Sequence, residues 1–326
     1  MLGPGFAAEV RGVGLADVAV RDDAYAWVRA AFEAHSVLVF RGQRITDELQ
    51  VAYSKRFGPL EIAKAASRGE GTPFSILTNI EPDGSLVPPD HKEALRARAN
   101  QLWHTDSCFK DPPALASVLS ARVISPVGGE TEFASMRLGW ERLPEAMRAR
   151  LADACAWHDY AHSRGKIAPH LVSGRERATL PTVRWRIRWR NPVNGRDSLY
   201  VASHTCGIDG MPKEEALDLI SHLIEHTTAP GHTYLHRWQP GDVIMWDNRC
   251  ILHRGRPWPE DKPRHVVRTT ITATDADGLA DLRPLSSAVT RHSFRSGTSA
   301  PPRIPASSSP APSRRSRIRS ERRRSP

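Results

Sequence analysis

Asn100-Gln101-Leu102-Trp103-His104-Thr105-Asp106 carries the strongest structural signal in the chain. In an extended strand, residues i and i+2 point to the same side. Read that way, His104 and Asp106 project together and Thr105 projects opposite. A second histidine follows far downstream, in Leu252-His253-Arg254-Gly255-Arg256. An imidazole and a carboxylate at one strand end and an imidazole on another strand can ligate one metal ion only if a β scaffold joins them. Strand-like runs dominate the surrounding sequence, at 115–120, 130–135, 183–189, 198–202, 232–238, 243–246 and 266–274. Many short strands separated by turn residues predict a β-sandwich or barrel. Helical patterns at 143–154 and 213–226 decorate it.

Upstream, apolar groups at helical spacing predict a helix over 23–34, followed by a buried strand at 36–40 that ends at Arg41-Gly42-Gln43. Thr46 is placed to cap a second helix, which Gly58 and Pro59 stop. Residues 61–100 carry Gly69, Gly71, Pro73, Pro82, Gly84, Pro88 and Pro89, and are expected to be irregular, as a lid, a binding segment or a disordered loop. From about residue 284 the chain turns to Ser, Pro, Arg and Ala, with too few large apolar residues to offset the entropy of ordering. The organisation expected is a single domain over 1–282 and a disordered tail over 283–326.

The 326 residues carry a formal charge of +10. Eleven arginines and one acid, Glu321, fall within 283–326, so residues 1–282 hold as many basic as acidic groups. The body therefore shows no global basic signal for nucleic acid, which is not expected as a partner. Four widely spaced cysteines, Cys108, Cys155, Cys206 and Cys250, form no CxxC pair and read as reduced thiols. No stretch approaches the roughly 18–20 apolar residues of a membrane span, and the first ten residues lack a signal-peptide pattern. These features predict a cytoplasmic protein without a membrane partner.

Two histidines and one carboxylate bind one face of an octahedral ion and leave the opposite positions open. That arrangement suits non-haem Fe(II), whereas Zn prefers a closed tetrahedron or a three-ligand site. A protein using Zn without redox chemistry on a β-sandwich remains the alternative from another class. Beyond His253, Arg264 and Arg268 are four residues apart with Val266 between them, so on a strand both share one side. A planar guanidinium matches a carboxylate in a two-pronged pair.

Six segments in order resemble the taurine / 2,4-dichlorophenoxyacetate type of Fe(II)- and 2-oxoglutarate-dependent dioxygenases. They are 36–43, 56–60, 100–106, 128–133, 241–249 and 252–255, and the resemblance spans roughly residues 7–274. Val37-Leu38-Val39-Phe40-Arg41-Gly42-Gln43 and Trp246-Asp247-Asn248-Arg249-Cys250 are similar to the aryloxyalkanoate branch. The resemblance implies a mostly β fold with flanking helices around a double-stranded β-helix (jelly roll). It implies Fe(II) held by His104, Asp106 and His253, with 2-oxoglutarate as co-substrate, its far carboxylate held by Arg264 and Thr131. Asn100 and Lys64 then face the organic substrate, and Arg268 lies nearer its acidic group. Related halogenases carry a small residue where Asp106 stands, so Asp106 implies hydroxylation. The expected reaction consumes O2 and a small acidic substrate, most directly an aryloxyalkanoate, and releases succinate and CO2. Taurine or another alkylsulfonate is the alternative substrate, and a homo-oligomer is left open. His204 is a candidate for a supporting role, whereas His158, His162 and His170 read as structural or exposed. One stretch departs from the branch: Trp185-Arg186-Ile187-Arg188-Trp189-Arg190-Asn191-Pro192 has extra arginines, and Asn191 where His is usual.

Overall fold

The computed structural model describes residues 1–65 and 67–284. Of the tail expected to be disordered, residues 285–326 lie outside the described residues. The strands are β1 (Ala7–Val10), β2 (Val37–Phe40), β3 (Phe74–Thr78), β4 (Ala114–Val123), β5 (Thr131–Ser135), β6 (Cys155–His158) and β7 (Val183–Arg186). They continue with β8 (Arg188–Arg190), β9 (Asp197–Leu199), β10 (Thr205–Ile208), β11 (Thr233–His236), β12 (Val243–Asp247), β13 (Ile251–Gly255) and β14 (His265–Thr272). The helices are α1 (Leu15–Val20), α2 (Asp22–His35), α3 (Asp47–Lys55), α4 (Lys92–Ala99) and α5 (Met136–Arg142). After them come α6 (Glu145–Leu151), α7 (Tyr160–Gly165), α8 (Gly174–Thr179), α9 (Lys213–Thr227) and α10 (Leu279–Leu282). Among the described residues no helix is long and apolar enough to cross a membrane.

The major sheet runs β1-β2-β12-β4-β14-β3, and a three-stranded sheet runs β11-β5-β13. The major sheet is covered on both faces, which is why β2 and β12 read as unbroken apolar runs rather than alternating ones. Their alternate residues enter different cores. Val37, Val39, Ile244 and Trp246 pack with Phe133, Tyr234 and Ile251 of the smaller sheet. Leu38, Phe40, Val243 and Met245 pack with Leu15, Val28, Phe32 and Tyr53 of α1, α2 and α3. In α2, Ala24, Val28 and Phe32 recur every fourth residue and are buried as one stripe. The Thr46 hydroxyl accepts from the Leu49 amide at 3.2 Å and caps α3, as its sequence predicts.

Several expectations change. Residues 61–100 are not all irregular: β3 pairs with β14, and α4 is a helix. The run 183–189 is broken at Ile187, whose backbone bonds to Ala154 and Tyr200 instead of continuing the strand. The run 198–202 keeps only β9. Strands β1, β6 and β10 and helices α1, α5, α7 and α8 went unread because each is only four to seven residues long. Such pieces gain stability from tertiary packing rather than from their own pattern.

Candidate active site

His104 and Asp106 do not lie along one continuous strand. His104 makes a single antiparallel bridge to His253, with N to O distances of 3.0 and 2.7 Å in the two directions, and the chain then turns through Asp106. Strand β13, paired with β5, presents His253 opposite Phe133. The bridge therefore does what the strand reading asked of it. One donor atom from each of His104, Asp106 and His253 lies within 4.8 Å of the others, and all three residues are buried.

The electrostatics fit a ligand set. His104 Nδ1 lies 2.7 Å from the Leu102 carbonyl, so that nitrogen carries the proton and Nε2 keeps its lone pair for the cluster. Burial pushes the His104 imidazole down to about 4, and burial with the neighbouring His104 drives His253 well below its ordinary value. Both are neutral at pH 7, as metal ligands must be. Burial alone would raise the Asp106 carboxyl, but Arg268, the two histidines and Ser117 outweigh it and hold the group below the usual carboxylate range.

Two residues that the sequence left without a role orient Asp106. The Ser117 hydroxyl on β4 donates to Asp106 Oδ2 at 2.7 Å. Asn248 donates to Ser117 Oγ at 3.0 Å, and its Oδ1 accepts from the Asp106 amide at 3.2 Å and from Trp246 Nε1 at 2.9 Å. Asn248 stands in one of the family-like segments, and that was its only signal. Ser117 had none, because its partner is eleven residues away across a turn.

The three ligands open onto a cavity of about 470 Å³ that is also lined by Asn100, Thr131, Lys64, Arg264 and Arg268. All eight candidate residues thus reach one chamber, of a size usual for a small-molecule site. Arg264, Val266 and Arg268 share the cavity side of β14 and its approach, as their spacing predicts. The Arg264 guanidinium lies 5.0 Å over the Trp258 ring and donates to the Gly129 carbonyl at 3.3 Å. Burial pushes it down to about 10, and among the described residues no carboxylate pairs with it. A buried cation without a counter-charge is costly, and a ligand carboxylate removes that cost. Thr131 faces the same cavity and accepts from Trp238 Nε1 at 3.1 Å, which leaves its hydroxyl proton to donate. Gly129 is required here: its φ is +73°, and a Cβ would come within 3.1 Å of Arg264 Nε.

Arg268 is engaged by Asp106, donating from Nη1 to Oδ1, so it braces the ligand carboxylate as well as lining the cavity. Lys64 is also taken: its ammonium pairs with buried Glu176 and lies 4.7 Å over the Tyr160 ring. Asn100 ends α4, its carbonyl accepts from the Gly255 amide at 3.0 Å, and its Oδ1 accepts from Arg164 Nη2 at 3.2 Å. His204 is held by Ser163, at 2.7 Å from Nδ1, and stands edge-on to His104 at 6.4 Å. His158 is buried and structural in position, in β6. The divergent stretch 185–192 does not line this cavity. Asn191 donates to Glu33 at 2.7 Å, while Arg186 and Arg188 pair with Asp153 and Asp197.

Two neutral imidazoles and a carboxylate on a mostly β scaffold, facing a cavity with a buried guanidinium in want of an anion, define an Fe(II)- and 2-oxoglutarate-dependent dioxygenase. Residues 1–270 match the profile of the taurine catabolism dioxygenase TauD, TfdA family, and the chain belongs to that family. It is 36% identical over 280 residues to the alpha-ketoglutarate-dependent 2,4-dichlorophenoxyacetate dioxygenase of Cupriavidus pinatubonensis, covering 84% of this chain and 97% of that enzyme. It is 35% identical over 285 residues to the (S)-phenoxypropionate/alpha-ketoglutarate-dioxygenase of Sphingobium herbicidovorans, covering 84% and 94%. Among solved structures, AAD-2 in complex with Mn(II) and N-oxalylglycine superposes with a TM-score of 0.77 at 35% identity, over 84% of this chain and 97% of AAD-2. The non-redox alternative falls with the family.

Proposed function

We propose that this chain hydroxylates a small acidic substrate of the aryloxyalkanoate class at the C–H beside its ether oxygen. The relatives above carry the reading: enzymes named for phenoxy acids align over nearly their whole length. The cavity supports it with an aromatic wall, in which Phe109 lies 4.9 Å from Tyr160 and 4.6 Å from His204. Such a wall takes a planar aryl ring.

In this reading His104, Asp106 and His253 hold the iron. Arg264 and Thr131 hold the far carboxylate of 2-oxoglutarate, and Asn100, Arg268 and Lys64 face the substrate. Bound Fe(II) supplies O2 activation coupled to decarboxylation of 2-oxoglutarate to succinate and CO2. The protein's part is placement. Ser117 and Asn248 fix the Asp106 carboxylate, and Leu102 fixes the His104 tautomer. For an aryloxyacetate the product is a hemiacetal, which breaks to a phenol and glyoxylate.

The two-sheet core is read as a jelly roll, residues 1–282 as one dioxygenase domain, and the protein as cytoplasmic, with no nucleic-acid partner in its main role and homo-oligomerisation open. The experiment is a panel of acids assayed for coupled succinate formation with Fe(II) and 2-oxoglutarate. Aryloxyacetates are expected to drive it, and His104→Ala to abolish it. Turnover with taurine or alkylsulfonates alone, or full activity in His104→Ala, would overturn the reading.

A further inference from the structure

Eight cations line the cavity, and among the described residues six of them pair with carboxylates. Arg268 is paired with Asp106 and Lys64 with Glu176. Arg264 is unpaired and stands beside Thr131's strand, at Gly129 and Trp258. Arg164 on α7 lines the same cavity and is 9% exposed. Its Nη2 donates to the neutral Asn100 amide oxygen, its guanidinium lies 5.0 Å over the Tyr160 ring, and its buried Nε has no partner. No carboxylate pairs with it among the described residues.

Two buried guanidinium groups therefore lack a counter-charge in one chamber. A buried cation without a partner is retained where a ligand supplies the anion. 2-Oxoglutarate accounts for one of them only, because its other carboxylate belongs at the metal. Arg164 stands with Tyr160, His204 and Phe109, the aromatic wall. It is set there by short-range structure: Ser163, its neighbour, is pinned to His204, and Asp159 caps α7 through the Ala161 amide.

We propose that Arg164 is a further residue that, beside Arg268, binds the acidic group of the organic substrate and so sets the enzyme's preference for acids. This rests on the aryloxyalkanoate reading above. Asn100 then has a defined part: its amide oxygen holds one Nη2 hydrogen of the guanidinium, leaving Nη1 and the second Nη2 hydrogen for a carboxylate. A fork of this kind takes a planar carboxylate in a two-pronged pair. Lys64, 4.7 Å from the centre of the same Tyr160 ring, adds positive potential to the subsite while it stays bound to Glu176.

The test uses the full-length enzyme loaded with Fe(II), 4-chlorophenoxyacetate as the acid and 4-chloroanisole as its neutral counterpart. Calorimetric binding of the acid is measured for wild type, Arg164→Gln and Arg164→Lys, with KM for the acid and for 2-oxoglutarate alongside. In Arg164→Gln, Kd and KM for the acid should rise at least tenfold, KM for 2-oxoglutarate should stay within twofold, and the acid-over-neutral preference should collapse. Arg164→Lys keeps the charge and should recover part of the acid affinity, which a purely structural role for the side chain would not predict. If Arg164→Gln binds the acid within twofold of wild type, or loses affinity for acid, neutral analogue and 2-oxoglutarate alike, the assignment is wrong while the substrate class stands. If wild type turns over a sulfonate but no aryloxyacetate, the substrate class is wrong. The same variants are then read on that sulfonate, where a tenfold loss in Arg164→Gln supports the anchor and no loss refutes it. An enzyme that takes only neutral substrates refutes both.

Discussion

At the scale of single residues, the site depends on groups that touch the ligands rather than on the ligands alone. Ser117→Ala removes the hydroxyl that orients Asp106, and partners of this kind are typically worth roughly ten- to hundredfold in metal affinity. A competition titration of Fe(II) against a chelator should show that loss, and unchanged affinity would mean that Asn248 suffices. Gly129→Ala puts a Cβ where Arg264 now lies and asks a left-handed backbone of a residue that resists it. It should raise KM for 2-oxoglutarate at least about tenfold, since displacing a charged hydrogen-bond donor costs on the order of 1.5–3 kcal/mol. An unchanged KM would detach Arg264 from the co-substrate. These residues differ in how legible they were. His104, Asp106, His253, Arg264 and Arg268 were readable from spacing and resemblance. Ser117 and Arg164 were not, because an ordinary serine on a strand and an arginine on a six-residue helix carry no pattern of their own.

At the scale of elements, the segment over the cavity is held by one buried carboxylate. Glu176 of α8 accepts from Lys64 in the loop after Leu60, from Arg96 of α4 at 3.2 Å and from Ser173. Burial would raise its carboxyl, but Lys64 and Ser173 prevail and lower it from 4.5 to about 2. A depressed carboxylate stabilises the fold fully above its unfolded value, and that stabilisation is lost as pH falls toward the folded one. Glu176→Gln should therefore cost roughly 3 kcal/mol at pH 7, with the gap to wild type closing between pH 4.5 and 2. Urea midpoints at pH 7 and pH 3 would check this, and a gap that stayed constant would exclude the carboxylate as its source. The expected lid over 61–100 was half right. Its glycines and prolines announced loops, but β3 and α4 form only because β14 and α8 offer them partners.

At the scale of the molecule, charge and chemistry are separated along the chain. Residues 1–282 are balanced, whereas the last 44 hold the whole excess. Removing 285–326 should abolish salt-sensitive retention on a phosphate-bearing matrix and leave kcat/KM within about twofold. A large loss of activity would show that the basic segment serves the site. The mostly β class of fold, the candidate ligands His104, Asp106 and His253, and the pair of arginines beyond them were legible along the chain. The physical reason is that strand periodicity and ligand chemistry are local and leave a spaced signature. Which charges are already satisfied became visible only in the folded chain. It paired Arg268 with Asp106, Lys64 with Glu176 and Asn191 with Glu33, and it left Arg264 and Arg164 open to the cavity. An ion pair forms wherever packing brings opposite charges together, and separations of 112 and 162 residues leave no trace along a chain.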